Sequence, residues 1–105
     1  MTSYNYLHLK DSKFLSIKGE DRNEFLQGLI TNDINKCSEN KAIYSAFLSP
    51  QGKFIADFFI INLGESFLFE IDFKYIEEIL NKFNMYKLKE KITITPVLGL
   101  SSIVI

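Results

Sequence analysis

The chain has 105 residues, of which 47% are hydrophobic and 24% charged, and its formal net charge is -1 at pH 7. This length and composition predict a single folded domain over residues 1–105 and argue against disorder. The near-neutral charge offers no field that would attract nucleic acid or an anionic membrane, so we expect neither DNA nor a membrane as a partner. Without an export signal or a membrane-length apolar run, and with Cys37 as the sole cysteine, the sequence predicts a soluble cytoplasmic domain.

The first elements are predicted by alternation and by a capping pattern. Lys13–Lys18 alternates in the manner of a short strand. Asp21 followed by Glu24 suggests a capping box, and the apolar positions within Phe25–Ile30 then form one face of a helix. The polar residues 31–33, Thr-Asn-Asp, are expected to end that helix.

The middle of the chain reads as a run of strands. Ala42–Leu48 and Lys53–Asn62 are predicted strands, joined by Ser-Pro-Gln-Gly at 49–52. Pro at the second place and Gly at the fourth suit a type I turn that closes a hairpin. A third strand is predicted at Ser66–Ile71.

A second helix and a last strand complete the pattern. Asp72 is expected to cap the helix, whose apolar residues recur at helical spacing between Ile76 and Phe83. Ile92–Thr95 is a predicted strand that Pro96 should end. The order strand, helix, strands, helix, strand predicts an α+β fold: a ferredoxin-like split βαβ-type sheet of about five to six strands with two helices.

The last residues, Pro96–Ile105, are apolar to the end. A terminal strand of that kind must be paired or covered, because an exposed apolar edge promotes association. Either the chain adds this strand to its own sheet, or a longer protein or a second copy of the chain covers it. The sequence leaves these alternatives open, and self-association through this strand is one of them.

Asp57 interrupts the apolar stretch FIADFFI. Alternation places Asp57, Ile55 and Phe59 on one face of the strand and a uniformly apolar set on the other: Phe54, Ala56, Phe58 and Ile60. Because the apolar set is the better candidate for the core, Asp57 should face solvent, a ligand or a partner. A carboxylate beside aromatic rings suits a flat heterocycle that carries N–H donors, whereas the simpler interpretation is a solvated strand acid.

Three segments together resemble the N-terminal portion of the YgfZ/IBA57-like folate-binding family, which is related to the T-protein (aminomethyltransferase) of the glycine cleavage system. They are FLQGLITNDI at Phe25–Ile34, IYSAFLSPQGKFIADFFI at Ile43–Ile60 and FNMYKLKEKITI at Phe83–Ile94. The resemblance implies a tetrahydrofolate-type ligand in a central cavity, part of whose wall this domain supplies. It implies folate-binding roles for Asp57, Tyr44, Phe59 and Asn32.

The resemblance also implies a function and leaves alternatives to it. Gly52-Lys53 and Ala56-Asp57 stand where T-proteins usually have paired glycines and paired acids, which favours a YgfZ-type protein supporting iron–sulfur cluster assembly or repair and tRNA modification. The family's later cysteine motif and the second half of its cavity have no counterpart here, so a second chain or a C-terminal half would complete the site. The alternatives are a fragment of a one-carbon transferase, or a truncated or split relative that serves only as an interaction module. We expect no catalysis by the isolated domain.

Two further residues, His8 and Cys37, belong to types that can act as metal ligands or nucleophiles. His8 is a lone histidine with no second ligand to make a metal site. Cys37 lies in a polar connector and is predicted to be an incidental exposed thiol rather than a nucleophile. The sequence therefore assigns neither a catalytic residue nor a metal ligand.

Overall fold

The computed structural model describes residues 12–97. Strands alternate with helices in the order β1, α1, β2, β3, β4, α2, β5. The bounds are β1 Ser12–Lys18, α1 Arg22–Gln27, β2 Ile43–Leu48, β3 Phe54–Asn62, β4 Ser66–Asp72, α2 Ile76–Tyr86 and β5 Thr93–Val97. Short 3-10 turns lie at Ile34–Lys36 and at Phe73–Tyr75.

The strands form one five-stranded sheet in the order β2-β3-β4-β1-β5. Every neighbouring pair is antiparallel. Consequently β4 and β5 run parallel to each other with β1 between them, and α2 connects them as a split βαβ unit. The predicted α+β fold, with one sheet and two helices, is confirmed.

The core lies between the helices and one face of the sheet. Ala56, Phe58 and Ile60 of β3 are buried there, as their alternation predicted, whereas Phe54 at the start of the strand is 55% exposed. On α2, Ile79 and Phe83 are fully buried. The period of each element thus selects the face that it buries.

The start of α1 differs from the predicted capping box. Asp21 makes no side-chain bond to the first turn of α1; instead its Oδ2 accepts a hydrogen bond from the backbone N–H of Lys91 at 2.7 Å. Gly19 lies under the same segment, where an added Cβ would stand 2.1 Å from the Lys91 carbonyl oxygen. Asp21 therefore holds together two parts of the chain that are 70 residues apart, a contact that no local pattern could have revealed.

The predicted turn at 49–52 agrees with the structure, whereas the predicted strand end at Pro96 is wrong. In the hairpin between β2 and β3, the Gly52 N–H donates to the Ser49 carbonyl at 2.8 Å, and Gly52 has a φ of +86°, which glycine adopts without steric cost. Pro96 does not end the last strand, because β5 continues to Val97 and Pro96 pairs in register with Leu15. The residue is tolerated because β5 lies at an edge of the described sheet.

Two predictions fall on residues outside the described range. The alternatives for Pro96–Ile105 depend on residues 98–105, since only Pro96 and Val97 of that segment are described, and His8 lies before residue 12. Within residues 12–97, no helix is long and apolar enough to cross a membrane.

Candidate functional site

The face of the sheet opposite the core carries an open depression of about 160 Å³. Strands β1 to β4 each contribute to it. Its lining consists of Ser12, Tyr44, Asp57, Phe58, Phe59, Glu70 and Asp72. Small-molecule sites in proteins usually measure roughly 300–1,000 Å³, so this depression has room for one ring system rather than for a complete cofactor.

Tyr44 and Asp57 are joined at the centre of this depression. Tyr44 pairs in register with Phe59, and Asp57 lies two residues away along β3, so the two side chains are diagonal neighbours on one face. The Tyr44 hydroxyl donates a hydrogen bond to Asp57 Oδ2. That bond to the carboxylate raises the pKa of the Tyr44 phenol, because the acceptor stabilises the protonated form.

Two exposed aromatic rings stand beside this pair. The rings of Tyr44 and Phe59 lie 5.3 Å apart between centroids, tilted by 57°. Tyr44 is 53% and Phe59 45% exposed. Aromatic surface left open beside a carboxylate is the kind of surface on which a flat heterocycle could stack.

Two acids in the depression were missed as site residues by the sequence analysis. Glu70 is buried and pairs in register with Phe59. Asp72 was predicted only as a helix cap, and its Oδ1 does accept from the Lys74 N–H at 3.0 Å, yet it also lines the depression. Alternation along β4 was the available signal, since it puts Glu70 and Asp72 on the face that Asp57 shares.

The depression is acidic and aromatic. Asp57, Glu70 and Asp72 contribute carboxyl groups, and no basic side chain is found among the described residues that line it. Carboxylates accept hydrogen bonds and repel anions. This surface therefore suits the N–H-rich, uncharged or cationic end of a ligand.

Asn32 is near this site but does not line it. Its side-chain Nδ2 donates to the Tyr44 carbonyl at 2.9 Å, and its Oδ1 accepts from the Asp33 N–H at 2.7 Å. Of the predicted site residues, the structure thus brings together Asp57, Tyr44 and Phe59 in one depression and places Asn32 behind Tyr44.

Cys37 is not the exposed thiol that its polar surroundings in the sequence suggested. It is 3% exposed, and its Sγ donates to the Ile60 carbonyl at 3.2 Å. Burial raises the pKa of this thiol, because desolvation disfavours the thiolate. Cys37 is a core residue with low nucleophilicity, and no cluster of potential metal ligands occurs within residues 12–97.

The fold of this chain is shared with a domain of a solved structure. Aminomethyltransferase T of the glycine cleavage system from Bartonella henselae superposes with a TM-score of 0.78 over 85% of this chain, at 13% sequence identity and over 25% of its own length. The family model of the GCVT N-terminal domain matches residues 8–102. The chain belongs to the GCVT N-terminal domain family.

Among curated proteins, the chain is similar to iron–sulfur cluster assembly factor IBA57 homologues named as mitochondrial. The Pyricularia oryzae protein is 35% identical over 91 residues, covering 82% of this chain and 23% of the relative. The Neurospora crassa protein is 34% identical, with 79% and 20% covered. The Dictyostelium discoideum protein is 30% identical, with 85% and 28% covered. The chain thus spans about a quarter of the length of these relatives.

These comparisons confirm the resemblance to the N-terminal portion of the family. They do not confirm the predicted cytoplasmic location, since the relatives are named as mitochondrial. The cytoplasmic location stays a prediction.

Proposed function

We propose that this chain acts as a folate-binding protein of the YgfZ type that supports iron–sulfur cluster assembly or repair and, through it, tRNA modification. The ligand is tetrahydrofolate or a derivative. The observation that carries the proposal is the Tyr44–Asp57 pair beside the exposed Phe59 ring, on a sheet face that the core does not use.

The residues of the depression fit the heterocyclic end of a reduced folate. That end is flat and carries several N–H donors, which match the carboxylates of Asp57, Glu70 and Asp72. The rings of Tyr44 and Phe59 supply a stacking surface at its edge. The anionic glutamate end of a folate is repelled by the same acids and belongs elsewhere. When bound, the cofactor would supply a carrier for one-carbon units; Asp57 would accept its hydrogen bonds.

The size of the depression supports a shared site. At about 160 Å³ it falls below the roughly 300–1,000 Å³ typical of ligand sites. A second wall, from a partner chain or from further residues of a longer protein, would enclose the ligand and exclude water. We propose that full affinity requires that second wall.

The role in iron–sulfur metabolism is supported by the relatives. The fungal proteins that match most of this chain are named as iron–sulfur cluster assembly factors, while the chain spans only 20–23% of their length. The function proposed for this chain is therefore a contribution of one domain to that activity.

Calorimetric titration with a reduced folate tests the binding proposal. The titration is run on the chain alone and on the chain mixed with the remaining domains of an IBA57 homologue. Wild-type protein should bind in at least the second case. Asp57→Asn, like the larger truncation Asp57→Ala, should bind roughly ten- to a hundredfold more weakly, because a hydrogen bond to a charged acceptor contributes about 1.5–3 kcal/mol. Glu65→Gln is the matched control, since it removes an exposed carboxylate in the turn before β4. No binding by the wild type under either condition would contradict the proposal.

A genetic test addresses the cellular role. Loss of the gene should lower the activity of iron–sulfur enzymes and the content of the tRNA nucleosides whose modification depends on them. Wild type should restore both, and Asp57→Asn should restore them less. Unchanged iron–sulfur enzyme activities after gene loss would refute the role.

Detection of methylene-tetrahydrofolate from an aminomethyl donor would point instead to the one-carbon enzyme. A chain that binds another protein but no folate would point to the interaction module.

A further inference from the structure

The edge of the sheet behind the candidate site is closed by the polar segment that follows α1. Strand β2 is an edge strand of the described sheet, and edge strands present unpaired N–H and C=O groups. The Thr31 N–H donates to the Ala46 carbonyl at 3.0 Å, and the Ala46 N–H donates to Thr31 Oγ1 at 3.0 Å. Thr31 therefore completes both outward-facing backbone groups of Ala46.

Asn32 provides a hydrogen-bond donor for the next outward-facing backbone group of β2, the carbonyl of Tyr44. Its Nδ2 donates to the Tyr44 carbonyl at 2.9 Å. Its backbone N–H donates to Ser45 Oγ at 3.0 Å, and Ser45 is only 2% exposed. Asn32 is thus anchored to the interior through Ser45 while its side chain holds Tyr44.

The hydrogen bond from Asn32 to the Tyr44 carbonyl matters because of the position of Tyr44 in its strand. Tyr44 is the second residue of β2, and the ends of edge strands open most easily. Its ring is half exposed, so packing restrains the orientation of the ring only in part. Fixing the Tyr44 carbonyl fixes the direction in which the ring leaves the backbone, toward Asp57 and Phe59.

Both polar atoms of the Asn32 side chain bond to the protein. Nδ2 is bonded to Tyr44 and Oδ1 accepts from the Asp33 N–H at 2.7 Å. Asn32 is also absent from the lining of the depression. Both observations favour a role of Asn32 toward Tyr44 over a direct contact with a ligand.

We propose that Asn32 is a positioning residue, which holds the Tyr44 carbonyl and so keeps the Tyr44 hydroxyl on Asp57, and that it does not contact the ligand. The effect on ligand affinity rests on the proposed folate function. The effect on Tyr44 does not, because both partners of the Tyr44–Asp57 bond belong to this chain.

The test is the substitution Asn32→Asp, which keeps the acceptor for the Asp33 N–H, replaces the donor to the Tyr44 carbonyl by a carboxylate oxygen and adds one negative charge. Asn40→Asp is the matched control: it makes the same charge change at an exposed turn residue. The first readout is the titration of the Tyr44 phenol, followed by NMR of ring-labelled tyrosine and assigned by its loss in Tyr44→Phe. In wild type and in Asn40→Asp the pKa should lie above the ordinary value of about 10. In Asn32→Asp it should fall toward that value, as it should in Asp57→Asn.

The second readout is the affinity for a reduced folate under the conditions in which wild type binds. Asn32→Asp should weaken binding roughly five- to tenfold, the range expected for losing one hydrogen bond. If the Tyr44 phenol of Asn32→Asp keeps the pKa that it has in the wild type, the proposal is overturned, whether or not the affinity for folate changes. Weaker folate binding together with an unchanged Tyr44 pKa would mean that Asn32 contacts the ligand itself. Should wild type bind no folate, the proposed function fails while the titration still decides the positioning role.

A second, less perturbing substitution keeps the proposal testable if Asn32→Asp does not fold. Thr31→Val removes the hydroxyl that serves Ala46, the next link of the same edge, and keeps the shape of the side chain. It should shift the Tyr44 titration in the same direction by a smaller amount. An unshifted titration in folded Thr31→Val, together with an unfolded Asn32→Asp, would count against positioning and in favour of a purely structural role.

Discussion

Truncation of Phe83 in α2 should remove a large share of the stability of the domain. The side chain is fully buried. Its ring makes edge-to-face contacts with Phe25 at 6.1 Å, Phe47 at 5.3 Å and Phe69 at 5.9 Å between centroids. Phe→Ala in a core costs about 3–5 kcal/mol in total, and three favourable aromatic contacts place Phe83 toward the upper end of that range. We therefore expect Phe83→Ala to lower the free energy of unfolding by about 4–5 kcal/mol, out of the roughly 5–15 kcal/mol typical of a domain.

Urea denaturation followed by circular dichroism measures this loss. With a slope of about 1.5 kcal/mol per molar urea, the midpoint should fall by roughly 3 M relative to wild type. Met85→Ala, on the same helix but 60% exposed, should change the free energy of unfolding by less than about 0.5 kcal/mol. A loss below about 2 kcal/mol for Phe83→Ala, at an unchanged slope, would show that Phe83 is not the centre of the core.

The remaining predictions concern a buried thiol and two glycines. The pKa of Cys37 is raised from 9.0 by burial, so its contribution to the free energy of unfolding is fully present below that pH and is lost above it, where the thiol of the unfolded chain ionises first. Urea midpoints of the wild type should therefore fall as the pH rises above about 9, and Cys37→Ala should reduce that fall. An equally steep fall in Cys37→Ala would refute this role of the thiol. Gly19→Ala should cost more than about 2 kcal/mol, because Cβ would stand 2.1 Å from the Lys91 carbonyl at a φ of +123°. Gly52→Ala should cost only about 1 kcal/mol, since its φ is +86° but the space around it is open; thermal melting of both variants checks the order, and equal losses would contradict it.

Much of the fold follows from local periodicity. The alternation in β3 correctly assigned Ala56, Phe58 and Ile60 to the core, and the helical spacing in α2 correctly assigned Ile79 and Phe83. These assignments hold because the side-chain period of an element is a property of its backbone. One error occurs where a side chain has a distant hydrogen-bond partner. Asp21 serves Lys91 rather than its own helix.

The same division applies to the candidate site. Sequence placed Asp57 on the face away from the core, and its neighbour Phe59 with it. That Tyr44 reaches Asp57 depends on the register of β2 against β3. That Asn32 stands behind Tyr44 depends on the path of the chain after α1.

By itself, the sequence determined the class of fold, the buried face of each main element and the outward direction of Asp57, because these depend on spacing along one segment. Only the tertiary structure decided which residues meet on the open face. It brought Glu70 and Asp72 to the depression and buried Cys37. The physical reason is that strand order, register and edge closure are set by contacts between segments far apart in the chain, where any one polar side chain has several partners within reach.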